Sequence, residues 1–246
     1  MAKRVDQPGK AAAPGPRGRE RLIVALDTAD LATAVRWAEA LRGEVGLVKV
    51  GLELFSAEGP RGLERIGAVG IPIFLDLKLH DIPNTVAGAI STLARSAVAL
   101  TTLHAAGGRR MIEAAATARD RSGTPLRLLA VTVLTSLDEA ALAEIGIAGG
   151  ATERAVAWSL LAASAGADGA VCSPLEAPRL RAELPARFLL VTPGIRAAGA
   201  PADDQARTAT AAQAVRNGAD YLVVGRPVTR AADPAAAARL LAAGLE

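Results

Sequence analysis

Among its 246 residues the chain has one cysteine, six aromatics and four lysines. A single thiol excludes a disulfide framework and a thiolate metal cage, since both need several cysteines. That residue, Cys172, lies in the apolar run DGAVCS at 168–173 and reads as a small buried side chain. The absence of disulfides points to a reducing compartment, and the expected location is the cytoplasm. No apolar run approaches the roughly 18 residues of a membrane span, and the first twenty residues lack the apolar stretch of a signal peptide. No membrane association is expected. Two Trp, one Tyr and three Phe are too few to form a platform on which bases could stack.

The formal net charge of +3 invites a nucleic-acid reading, but its location argues against one. Residues 1–21 hold six basic side chains (Lys3, Arg4, Lys10, Arg17, Arg19, Arg21) against Asp6 and Glu20, while the other 225 residues carry 22 basic and 23 acidic groups. The body is thus close to neutral, and no nucleic-acid partner is expected. Three Pro and three Gly fall among the first twenty residues, which read as a disordered basic tail, residues 1–20, ahead of one folded domain, residues 21–246. Of the 28 basic residues 24 are Arg, and the body keeps only two lysines, Lys49 and Lys78. Arg cannot lose its proton near neutral pH and Lys can, so lysines in so Arg-rich a body point to a site needing a compact, titratable ammonium.

From Leu22 onward short apolar runs alternate with Ala-rich segments of helical period. Strands are expected at 22–26, 47–50, 71–77, 97–104, 126–134, 169–172, 188–191 and 221–224, with helices such as 31–41 and 206–217 between them. Eight βα units with nearly continuous apolar strands, and no GxGxxG after the first, predict an α/β fold: a single (β/α)8 TIM barrel. The polar exceptions then acquire a place. Asp27, Lys49, Asp76 and Lys78 fall at the C-terminal ends of strands 1, 2 and 3, where barrel enzymes build their sites. Asp76 and Lys78 are two apart, so in an extended chain they share a side. Asp27, followed by Thr28, also suits a turn former or helix cap. At the other side of the barrel, strand 7 runs into Thr192-Pro193-Gly194-Ile195-Arg196 and strand 8 into Gly225-Arg226-Pro227. These loops are the recurrent phosphate site of barrels, with Gly allowing close approach and Arg a forked donor. The stretch from Gly194 to Gln205 is long enough for a lid.

The segment Asp76-Leu77-Lys78-Leu79-His80-Asp81-Ile82-Pro83-Asn84-Thr85 closely resembles the signature of the orotidine 5′-phosphate decarboxylase family. The resemblance runs through Ala25-Leu26-Asp27, Val48-Lys49-Val50-Gly51, Val133-Leu134-Thr135-Ser136, Thr192 to Arg196 and Val224-Gly225-Arg226-Pro227, in order. It implies decarboxylation of orotidine 5′-monophosphate to uridine 5′-monophosphate (UMP) in pyrimidine synthesis, without cofactor or metal, by a homodimer with shared active sites. It further implies that Lys78 gives a proton to C6 of the pyrimidine and that Asp76 sits beside the substrate carboxylate. Lys49 belongs to the same charged network, and Asp27 holds the ribose. Asp81, Ile82 and Thr85 complete the neighbouring subunit's site. Thr135, or its neighbour Ser136, meets the pyrimidine, while Arg196, Gln205, Gly225 and Arg226 belong to the phosphate end. The alternatives are a Mg²⁺-dependent sugar-phosphate synthase of the same superfamily, a Schiff-base aldolase using Lys78, and a non-catalytic phosphate-binding barrel. The first should add carboxylates near Asp76. His80 and His104 make no metal pair, and His80 reads as structural.

Overall fold

The computed structural model describes residues 15–195 and 209–245. Eight parallel strands close in chain order into a barrel: β1 Leu22–Ala25, β2 Leu47–Val50, β3 Ile73–Leu79, β4 Val98–His104, β5 Arg127–Val131, β6 Gly169–Val171, β7 Leu189–Thr192 and β8 Tyr221–Val224. Val24 is paired with Val48 on one side and Val224 on the other, so β1 closes the ring. Alternation along each strand divides the apolar residues into two layers. Ile23, Leu47, Phe74, Leu100, Leu129, Leu189 and Val191 fill the barrel's interior. Their neighbours, among them Leu22, Val24, Val48, Ile73, Leu75 and Leu222, join the larger core under the helices. Both faces of the sheet are therefore buried, which is why its strands read as unbroken apolar runs.

The N-terminal ends of β6 and β8 are held by a repeated tripeptide, Gly-Ala-Asp, at 166–168 and 218–220. Gly166 and Gly218 have φ of 94° and 99°, a left-handed turn that suits glycine. The alanines are buried. The aspartates then reach sideways to the neighbouring strand: Asp168 accepts from the Leu128 N–H at 2.8 Å and Asp220 from the Leu190 N–H at 2.8 Å. Each is also ion-paired with an arginine from a preceding helix, Asp168 with Arg119 and Asp220 with Arg181.

Most strand ends fall within one or two residues of expectation, and three other boundaries depart from it for local reasons. The division drawn at residue 20 falls inside a 3₁₀ turn, Gly18–Arg21. The Arg19 carbonyl accepts from Gly46, and Arg21 donates to the Ala219 and Asp220 carbonyls; these residues thus pack on the barrel's base. Residues 1–14 of the expected tail lie outside the described residues. Strand β5 stops at Val131 rather than 134, because Leu134 and Leu137 close a turn. The helix expected at 206–217 is seen from Ala211 to Arg216, capped by the Thr210 hydroxyl, which accepts from the Gln213 N–H; residues 206–208 lie outside the described residues.

Strand β3 differs most. It runs to Leu79, but its register with β4 jumps from Leu75↔Thr101 to Leu79↔Leu103. Three residues of β3 therefore face one of β4. Within this bulge Lys78 has φ of 52°, and among the described residues it is the one non-glycine with positive φ. The chain is not extended at Lys78, contrary to expectation; Lys78 and Asp76 share a side because the bulge turns Lys78 back. A side chain in the left-handed region is disfavoured by roughly 1–2 kcal/mol, and such outliers gather at functional sites.

Candidate active site

Following the interior layer up each strand by steps of two leads out of apolar packing into charge. Ile23 leads to Ala25 and Asp27, Leu47 to Lys49, Phe74 to Asp76 and Lys78. All of these but Ile23 and Leu47 line one cavity of about 480 Å³ at the C-terminal ends of the strands. The rest of the cavity's wall comes from the later strands: Val131 at the end of β5 with Val133 and Thr135 beyond it, Pro193 and Gly194 beyond β7, and Gly225 and Arg226 beyond β8. A pocket of this size suits a nucleotide-sized ligand.

Two ion pairs occupy the charged wall. Lys49 Nζ lies 2.9 Å from Asp27 Oδ1. Lys78 Nζ lies 3.0 and 2.9 Å from Asp76 Oδ1 and Oδ2. The lysine of the first pair is nearly buried while its aspartate is 58% exposed, so Asp27 presents a free carboxylate edge to a ligand. The expected turn-former role does not fall to Asp27, because Asp30 caps the helix Leu31–Leu41 by accepting from Thr33. A third residue joins the second pair. The buried Thr102 hydroxyl, on β4, donates to Asp76 Oδ1 at 2.9 Å and accepts from the Lys78 backbone N–H at 2.8 Å. In sequence Thr102 was indistinguishable from any β-branched strand residue, and only the hydrogen bonds single it out. Trp37, Thr229 and Arg230 also line the cavity and carried no signal in sequence.

Of the two hydroxyl residues competing for one role, Thr135 lines the cavity and Ser136 does not. Asp81, Ile82 and Thr85 lie outside it on the exposed start of the helix Pro83–Leu93, with Ile82 67% exposed and the Asp81 carboxylate accepting from the Ile82 N–H at 2.6 Å. Arg196 and Gln205 lie outside the described residues. His80 and His104 stack with ring centroids 5.4 Å apart, and Trp158 meets His104 edge-on. Burial, then the charges of His80 and Lys78, hold His104 below the ordinary imidazole range, and its Nδ1 accepts from Ala106, capping a short turn. Cys172 lines the cavity floor, and burial pushes its thiol up to about 12. The carboxylates among the described lining residues are Asp27 and Asp76, each with a lysine partner, and among the described residues no three His, Cys, Asp or Glu side chains gather as metal ligands do.

Residues 20–241 match the model of the orotidine 5′-phosphate decarboxylase / HUMPS family. The chain is 55% identical over 226 residues to the orotidine 5′-phosphate decarboxylase of Anaeromyxobacter sp. (strain K), an alignment covering 92% of this chain and 98% of that protein. It is 52% identical to the enzyme of the same name from Thermobifida fusca (strain YX), over 92% of this chain and 95% of the other. Among solved structures, the orotidine 5′-phosphate decarboxylase from Lactobacillus acidophilus superposes with a TM-score of 0.81 at 38% identity, over 92% of this chain and 98% of that one.

Proposed function

The chain belongs to the orotidine 5′-phosphate decarboxylase / HUMPS family, and from that premise we propose how its site works. The protein is a carboxy-lyase that converts orotidine 5′-monophosphate to UMP and CO₂, the closing step of pyrimidine nucleotide synthesis. The observation that carries the site assignment is the Lys78–Asp76 pair at 2.9 Å, set on a bulged strand end inside the cavity.

Breaking the bond from C6 to the carboxylate leaves its electron pair in an sp² orbital on C6, which the ring cannot delocalise well. An ammonium fixed beside C6 stabilises that charge as it develops and then transfers a proton to the carbon. Lys78 fills this role, becoming a neutral amine that water reprotonates after CO₂ leaves. Asp76 faces the departing carboxylate. Two carboxylates about 4 Å apart repel by roughly 4 kcal/mol at an effective dielectric of 20, and that repulsion disappears with CO₂. Asp27, more than half exposed and anchored by Lys49, suits the ribose hydroxyls. Thr135 suits the pyrimidine, and Gly225 with Arg226 the phosphate, the role the resemblance also implies for Arg196 and Gln205. Grip on the remote phosphate offers binding energy for closing the site and excluding water.

The exposed Asp81, Ile82 and Thr85 support a homodimer in which these residues complete the partner's site. A cytoplasmic location is supported by the single buried cysteine, and among the described residues no helix is long and apolar enough to cross a membrane. Neither cofactor nor metal takes part in this reading. The test is the fall in orotidine monophosphate absorbance in the presence of EDTA. Undiminished turnover is expected. Activity lost to EDTA and restored by Mg²⁺ would favour the metal-dependent sugar-phosphate branch of the superfamily.

A further inference from the structure

We propose that Thr102 is a positioning residue for the decarboxylation, fixing Lys78 and Asp76 relative to each other through one hydroxyl. A threonine hydroxyl has one proton to give and lone pairs to receive. Here the proton goes to Asp76 Oδ1 at 2.9 Å, and a lone pair takes the Lys78 N–H at 2.8 Å. Lys78 Nζ returns to the same Oδ1 at 3.0 Å. The four groups close a ring: backbone N–H, hydroxyl, carboxylate, ammonium.

The bulge explains why a side chain is needed there. Between Leu75 and Leu79 the regular ladder with β4 is lost, and only Thr102 lies between their partners Thr101 and Leu103. A buried N–H without a ladder partner must find another, and Thr102, with no exposed surface, supplies it. The neighbouring Thr101 is also buried but donates to the Leu75 carbonyl at 3.1 Å, on the other side of the strand. Thr102 alone of the two touches both charged residues. Without its acceptor the left-handed backbone at Lys78 loses its tether, and the ammonium leaves its aim on C6. Without its donor the Asp76 carboxylate is held, among the described residues, by the Lys78 ammonium alone, and the pair can move together.

This inference rests on Lys78 being the proton donor, so its test carries Lys78→Ala as a separate arm. Thr102→Val keeps the shape and removes both hydrogen bonds; Thr102→Ser keeps both bonds. UMP, which lacks the C6 carboxylate and needs no proton, reports binding alone. The expected result is a kcat for Thr102→Val lower on the order of 10- to 100-fold, the scale of a misplaced reacting group. Its UMP dissociation constant should stay within about twofold, and Thr102→Ser should stay within about threefold of the parent in kcat. If Thr102→Val does not fold, Thr102→Cys reads the same split, since a thiol is a weak hydrogen-bonding group. Parental kcat in the Val or Cys variant, with Lys78→Ala inactive, would overturn the role of Thr102 and leave the donor assignment standing. Equal losses in the Ser and Val variants, or a parallel loss of UMP binding, would reduce Thr102 to packing. Activity in Lys78→Ala would overturn the donor assignment and this inference with it.

Discussion

The space a side chain at Gly51 would need is taken by Lys49: a Cβ built on Gly51 would lie 2.7 Å from the Lys49 Nζ. The backbone at Gly51, with φ of −97° and ψ of −172°, suits any residue, so the glycine is there for the ammonium and not for the turn. Gly51→Ala should fold normally, because the far end of a lysine swings aside easily, but Lys49 then leaves its 2.9 Å pairing with Asp27. A loss of about tenfold in kcat/KM, equivalent to about 1.4 kcal/mol, is expected with a melting temperature nearly unchanged. Steady-state kinetics beside a thermal melt decides it; unaltered kinetics would detach Lys49 from the reaction.

Asp81 is expected to act in the neighbouring subunit. Lys78→Ala and Asp81→Ala should each be inactive alone. After random subunit exchange half the dimers are mixed, and a mixed dimer carries both lesions in one site and neither in the other. Recovery to about a quarter of parental activity follows from that symmetry. An inactive mixture, with the mixed dimer verified by native mass spectrometry, would place both residues in one chain's site.

Asp220→Ala should destabilise without touching catalysis. The change leaves the Arg181 guanidinium and the Leu190 N–H without a carboxylate they now hold at 2.7 and 2.8 Å. Loss of a largely buried charged partner costs about 2 kcal/mol, and for a chain of this size that lowers the melting temperature by roughly 4–8 °C. Turnover per folded molecule should be unchanged, because the aspartate lies at the opposite end of β8 from Gly225. A proportional fall in kcat would show that the two ends of the barrel are coupled.

The thiol of Cys172 is pushed up to about 12 by burial, so it stays protonated at pH 8 in the native protein. Thiolates, not thiols, are alkylated; iodoacetamide should spare the folded protein and label it in urea. The sign of the linkage follows. A group whose pKa is raised by folding leaves stability intact below its unfolded value of 9.0 and withdraws it as pH rises from there toward about 12. Cys172→Ala should therefore lose stability less steeply over that interval, measured by urea midpoints at several pH values.

Periodicity made most of this architecture readable. Apolar runs at the βα repeat located all eight strands, and the charged residues at the ends of the first three of them pointed to Asp27, Lys49, Asp76 and Lys78. Hydropathy stops at the polar irregularities. The left-handed backbone of Lys78 follows from a register jump between two strands, which no single strand's pattern encodes. Thr102 looks like an ordinary β-former. The start of the helix Ala211–Arg216 was readable in principle, since Thr210 with Gln213 three residues later is a capping signature, but the Ala-rich stretch before it masked the signal.

Both lysines of residues 21–246 line the cavity, which leaves the barrel's outer surface without a side-chain amine. Acylating reagents that modify most proteins all over have two targets here beyond Lys3, Lys10 and the N-terminal amine. Coupling to an activated resin can proceed through Lys3, Lys10 and the N-terminal amine or through the cavity, with no side-chain amine between. Labelling counted at Lys49 and Lys78 alone then measures access to the cavity, and a bound nucleotide should protect both body lysines at once.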